Sequence, residues 1–170
     1  MHKGKKAERL GGKRGGMVGK IAVMGLLERH GPDKTSQVRL SVVTSTKRGP
    51  LQDTVRRHVA PGANLYTDAL RSYEGLGGEY VHKVIDHAET YVRGKVHTNG
   101  LENFWSLLKR SIKGTYVSVE PFHLFRYLDE QAYRFNKRRG TDRTRFVDAL
   151  RAILGKRLTY ASLTAAPATT

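Results

Sequence analysis

Two acidic residues and a cluster of cations define what chemistry this chain has to offer. Asn99, Glu102, Ser106, Lys109 and Lys113 fall three or four positions apart, so on a helix they form one polar stripe. On that stripe a carboxylate two turns from a lysine pairs a ligand for a hard cation with a grip on a phosphate. A charged stripe is also the ordinary solvated face of a surface helix, and alone it carries no chemistry. Asp68 changes the reading. It follows ANLYT, residues 63–67, a short strand-like run, and the carboxyl ends of strands in an open α/β sheet border the ligand crevice. If the Glu102 helix packs back against that sheet, the two carboxylates converge. Carboxylates sharing Mg2+ or Mn2+ serve phosphodiester cleavage, where the cation activates water or a 3′ hydroxyl and neutralises the leaving oxygen. Such sites ordinarily use three acids.

The elements that must position these groups follow from periodicity. KIAVMGLLE (20–28) and SQVRLSVVT (36–44) are apolar, β-rich runs around Gly31, Pro32 and Asp33, which predicts an antiparallel hairpin. Pro50 opens a short helix with Leu51, Val55 and Val59 on one side, closed by Pro61-Gly62. The strand at 63–67, a short helical turn through Tyr73 and a strand at 80–85 complete a strand and helix alternation, so the class is α/β. Thr98 or Asn99 caps the next helix, whose Leu101, Phe104, Trp105, Leu108 and Ile112 make a buried face. Trp105 on that face reads as a core anchor, not as a base-stacking platform. Pro121 starts another helix, a further one spans about 143–154, and the tail from 158 is expected to be disordered.

Composition names the partner. Thirty-one Lys and Arg against 15 Asp and Glu give a net charge of +16, a field that attracts a polyanion in a salt-sensitive way. DNA is the expected partner. A membrane surface is not, because the cations are spread over several elements and no apolar run approaches ~20 residues. Without cysteine there is no disulfide, thiol nucleophile or Cys-ligated zinc. Residues 1–19 form a basic Gly, Lys and Arg-rich arm without the apolar core of a secretion signal, and a cytoplasmic, nucleoid-associated protein is expected. GGKRGGMVGKI imitates a phosphate-binding loop, but Arg14 replaces a required glycine and Ile21 stands where Ser or Thr belongs.

YTDALRSYEGLG, YVRGKVHTNGLENFWSLLKRSIKGTY and FHLFRYLDEQAYRFNKR resemble the ISXO-type transposase domain of insertion sequences, a DDE transposase branch with a ribonuclease-H-like fold. The resemblance runs over roughly residues 13–147. It implies a mixed sheet flanked by helices in a core over 20–157, with Asp68 and Glu102 as the second and third metal ligands. It also implies Lys109, with Arg110 and Lys113, on DNA. Some relatives carry Asn as the third ligand, so Asn99 is an alternative to Glu102, and His97 is an accessory candidate. The implied partners are terminal inverted repeats, target DNA and further copies of the chain. The family's first Asp belongs to an early D-E-x-Y-x-G-G-K strand. Here Gly11-Gly12-Lys13 matches its end, but Lys6 falls at the Asp position and Glu8 is the only acid before Glu28. The resemblance thus implies an amino-terminally truncated copy lacking its first strand and first ligand, inactive or nearly so alone. A non-catalytic DNA-binding protein and an inactive remnant are the alternatives.

Overall fold

Alternating apolar residues build four short strands in the first half of the chain. The computed structural model describes residues 20–30, 34–85, 99–117 and 119–164. In it β1 (Ala22–Glu28) pairs antiparallel with β2 (Gln37–Val43), Leu27 opposite Val38 and Gly25 opposite Leu40. The expected hairpin is present, with residues 31–33 of its turn outside the described residues. β3 (Asn64–Asp68) pairs parallel with β4 (Val81–Ile85). Parallel neighbours need a crossover, here made of two 3-10 turns, Arg71–Tyr73 and Leu76–Gly78. Gly75 joins them at φ 92°, a left-handed conformation that glycine adopts without steric cost.

The α/β class holds among the described residues, where the resemblance leads one to expect a mixed sheet without its first strand. There the strands make two separate ladders, β1 with β2 and β3 with β4. No described strand lies between β1 and β3 to carry hydrogen bonds across.

Helices cover both faces. α1 (Arg48–His58) carries Pro50 in its first turn, where a missing N–H costs nothing. Its Leu51 and Val55 are buried with Met24 of β1, Leu65 of β3, Leu76 and Tyr80, so one helix roofs both ladders. The buried Gln52 donates to the carbonyls of Ser72 and Glu74 at 3.0 and 2.8 Å, and Arg56 grips Glu79 at 2.7 and 3.0 Å. Both clamp the crossover to α1. On the opposite face α2 (Asn99–Ser111) and α3 (Leu124–Asn136) bury Phe104, Leu108 and Leu128 with Val38 of β2, and Val23 and Leu27 of β1 pack there too. Val23 and Leu27 alternate with Met24 and Leu26 on the α1 side, so β1 is covered on both faces.

At the last residue of α3, the Asn136 side chain accepts the Val38 N–H at 2.7 Å and donates to the Val38 carbonyl at 3.0 Å. One amide thereby satisfies backbone groups on the outer edge of β2. α4 (Asp142–Ile153) starts at Thr141, whose hydroxyl accepts the Thr144 N–H at 3.2 Å. Tyr160–Thr164 forms a further short helix, α5, inside the stretch expected to be disordered from 158. Residues 165–170 and the basic arm at 1–19 lie outside the described residues. No helix among the described residues is long and apolar enough to cross a membrane.

Gly25 sets how closely α2 approaches β1. A Cβ there would meet Trp105 Cζ2 at 2.6 Å and Leu101 Cδ1 at 3.1 Å. Gly25→Ala should therefore cost about 1–3 kcal/mol in urea unfolding. The cost should shrink when Trp105→Phe is also present; an equal cost in both backgrounds would show that the Trp105 contact is not what demands glycine.

Candidate active site

Asp68 closes β3, and its immediate surroundings are fixed by the chain that follows. Its Oδ1 accepts the Leu70 N–H at 3.3 Å, a local turn that Asp favours at a strand end. Burial, and then the nearby Asp68 charge, holds the Tyr73 phenol protonated above its ordinary range. Leu65 of β3 is packed against α1. By the alternation of a strand, Tyr66 and Asp68 therefore point toward the other face, and Asp68 is exposed.

The other face is where α2 lies. Phe104 and Leu108 turn inward, and Asn99, Glu102, Ser106, Lys109 and Lys113 are all exposed on the opposite side, as the stripe predicted. Leu101, next to Glu102, lines a cleft together with Asn64 and Tyr66 of β3. Neither Asp68 nor Glu102 is itself among the residues that line the cleft. Among the described residues, no group of three or more His, Asp or Glu side chains is arranged to hold a metal ion. His97 lies outside the described residues.

The cations divide into two sets. Arg134 pairs with Glu130 at 2.9 Å and Lys137 with Asp148 at 3.1 Å. Arg138 donates to the Ser36 carbonyl at 2.9 Å and lies 4.0 Å from the Phe135 ring centre. These serve the fold. Lys109, Arg110 and Lys113 are exposed with no side-chain partner among the described residues, which leaves them available to an external anion. α2 runs into a π-helical turn at Ile112–Tyr116 that carries Lys113, and Val117 follows at φ 57°. A β-branched residue rarely takes that conformation, and π turns concentrate at functional sites.

A profile of the ISXO2-like transposase domain matches residues 1–136. The chain belongs to the ISXO2-like transposase family. It is also 32% identical, over 96 residues, to an uncharacterized transposase-like protein of Haemophilus influenzae, covering 56% of this chain and 77% of that protein. No solved structure matches the chain. Within this transposase domain, one feature beside Asp68 escaped the sequence reading because it depends on the pairing of β3 with β4. Thr67 is buried, its hydroxyl donates to the Asp68 carbonyl at 3.0 Å, and it lies 2.9 Å from His82 Nε2. The hydroxyl and the imidazole are thus within hydrogen-bonding distance across the β3–β4 ladder.

Burial holds the His82 pKa below its ordinary 6.5. The unfolded chain then takes up a proton at higher pH than the folded one. The stability that His82 contributes is therefore present near neutrality and lost as pH falls below about 6.5. Urea midpoints measured from about pH 7 to 5 should decline less steeply for His82→Gln than for the parent. Parallel declines would show that the imidazole titrates alike in both states.

Proposed function

We propose that the chain acts on DNA as a DDE-type transposase domain, in strand cleavage and strand transfer at the ends of an insertion element. In this reading Asp68 and Glu102 hold Mg2+ or Mn2+, Lys109 grips a phosphate near the cleaved bond, and Arg110 and Lys113 extend the grip. Asn99 is the alternative to Glu102 as a ligand, and His97 is accessory. Hard cations take oxygen ligands and keep several waters, which suits exposed carboxylates. When bound, the cation lowers the pKa of a coordinated oxygen nucleophile and offsets charge on the leaving oxygen. The observation that carries the reading is the orientation of Asp68 toward the face covered by α2, together with the solvent-facing run of Glu102, Lys109 and Lys113. Family membership supports the same assignment.

The two ladders are, in this reading, parts of one ribonuclease-H-like sheet. DNA ends, target DNA and further copies of the chain are its partners. Two carboxylates do not make the set of three, and Lys6 stands where the resemblance expects the first acid. We therefore expect cation binding by this chain alone to be weak and cleavage to be slow. The absence of a three-residue ligand cluster among the described residues favours a second reading, a DNA-binding protein without catalysis.

Duplex DNA binding measured across salt and Mn2+ separates the two. Lys109→Ala should lower the slope of log affinity against log salt by about one. In the catalytic reading, millimolar Mn2+ tightens DNA binding by the parent and leaves Asp68→Asn and Glu102→Gln unaffected. Binding indifferent to Mn2+ in all three proteins would support the non-catalytic reading.

A further inference from the structure

A second cleft, of about 580 Å3, runs between α2 and α3 on the flank of α2 turned away from the acidic stripe. Leu107 and Ser111 line it, and at 3.6 residues per turn they lie roughly 140–180° around the helix from Glu102 and Lys109. Spacing on each helix builds the walls. Asn103, Leu107 and Ser111 recur every fourth residue on α2, and Gln131, Phe135 and Arg138 follow at four and three on α3. Phe104 and Leu108, both buried, form the floor. Phe104 meets Phe135 at 5.2 Å between ring centres, and further along α2 Tyr116 meets Glu130 at 2.6 Å, so the two walls run antiparallel. The chemistry changes along the cleft. Arg29 and His30, from the exit of β1, share one end with Arg138. Ser36 joins them there, its carbonyl accepting from Arg138 Nη1 at 2.9 Å and its Oγ from the His30 N–H at 3.5 Å. Leu107 and Phe135 make the middle apolar, and the Ser111 hydroxyl and Gln131 amide make the far end polar and uncharged. Arg134 also lines the cleft but is paired with Glu130. None of the described lining residues is acidic.

We propose that this cleft binds one unpaired nucleotide, with its phosphate at the basic end, its base in the apolar middle and the edge of the base at Ser111 and Gln131. The order of the three chemistries carries the inference. A phosphate calls for charged donors, and the faces of a base pack on apolar and aromatic side chains. The edge of a base offers donors and acceptors together, which a hydroxyl and a neutral amide can both match. Arg138 and Gln131 stand seven residues apart, about 10 Å along a helix, a span that a lone phosphate leaves empty and a mononucleotide fills. The volume lies in the ~300–1,000 Å3 range of small-ligand pockets, which admits a single nucleotide and not a stacked duplex. Arg138 is held in place with donors to spare. Both of its hydrogen bonds among the described residues run from Nη1, to the Ser36 and Phe135 carbonyls, and its guanidinium lies 4.0 Å from the Phe135 ring centre. Burial, and then the neighbouring Arg139 charge, lowers its pKa below the ordinary value, so an anion bound there relieves a charge that its surroundings disfavour. The chemistry of the cleft is independent of a cation at Asp68 and Glu102. Only the choice of a DNA strand as the source of the nucleotide rests on the proposed function.

The probe is a nine-unit abasic deoxyribose-phosphate strand carrying one adenine at its centre, compared with the same strand wholly abasic so that backbone charge is constant. The adenine should tighten binding to the full chain at least about fivefold, and the amide signals of Leu107, Ser111 and Phe135 should shift only when it is present. Leu107→Ala should remove most of that gain without changing affinity for the wholly abasic strand, and Leu107→Met should keep it. Leu107 is 41% exposed, so the urea midpoints of both variants should stay close to the parent's. Equal weakening of both strands by Leu107→Ala would overturn the proposal. Free 2′-deoxyadenosine 5′-monophosphate is the second arm: binding of it that depends on Leu107, with no gain from adenine in the strand, would identify a free nucleotide as the ligand of the same cleft. If neither adenine-bearing probe depends on Leu107, the nucleotide site is refuted, however tightly duplex DNA binds. If the free nucleotide binds through Leu107 while neither strand nor duplex binds, the site stands and the reading of the chain as acting on DNA fails.

Discussion

One apolar cluster ties the halves of this molecule together. Among the described residues the two ladders share no strand pairing, and Met24, Leu51, Val55, Leu65, Leu76 and Tyr80 pack under α1 to hold them side by side. Burial of each such side chain contributes about 1.5–3 kcal/mol, but the attraction is non-directional. It holds β3 near β1 without the register that a hydrogen-bonded ladder imposes. Asp68 rides on β3, whereas the helix bearing Glu102 is seated on β1 through Trp105 and Leu101 against Gly25. The separation of the two acids is therefore set by packing across an unbridged gap.

Local elements were legible in the sequence because their periods are local. The runs around residues 20–28 and 36–44 became the hairpin, and the three-and-four spacing of Leu101, Phe104, Trp105 and Leu108 became the inward face of α2. Trp105 packs on Gly25, in keeping with a core anchor. What depends on partners distant in sequence was not legible. Nothing near Asn136 signals that its amide would bond Val38, and the proximity of His82 to Thr67 follows only from the parallel register of β3 and β4. Alternation marks strands without marking which edges meet, so the division into two ladders was not legible either. The short helix at Tyr160–Thr164 lay in a stretch too weakly patterned to distinguish from tail.

The same limit applies to charge. A net charge of +16 favours a polyanionic partner but does not mark the surface that would meet it. The structure assigns Arg134, Lys137 and Arg138 to ion pairs, a backbone carbonyl and an aromatic face. Lys109, Arg110 and Lys113 keep no side-chain partner among the described residues. The proposed role favours cations uncommitted before DNA arrives, because each committed cation would have to break a bond in the protein to make one to the nucleic acid. The unpaired cations stand on the same stripe as Glu102, which links the surface that would meet the backbone of DNA to the acid proposed to act on it.

If Asp68 and Glu102 share one cation, as proposed, paramagnetic Mn2+ must reach both at once. As Mn2+ is titrated into the folded chain, amide signals at 67–70 and at 101–103 should broaden together over one concentration range, and Asp68→Asn should relieve both. Broadening at one segment only, or relief of the Asp68 signals with the Glu102 signals still broadened, would contradict a shared site.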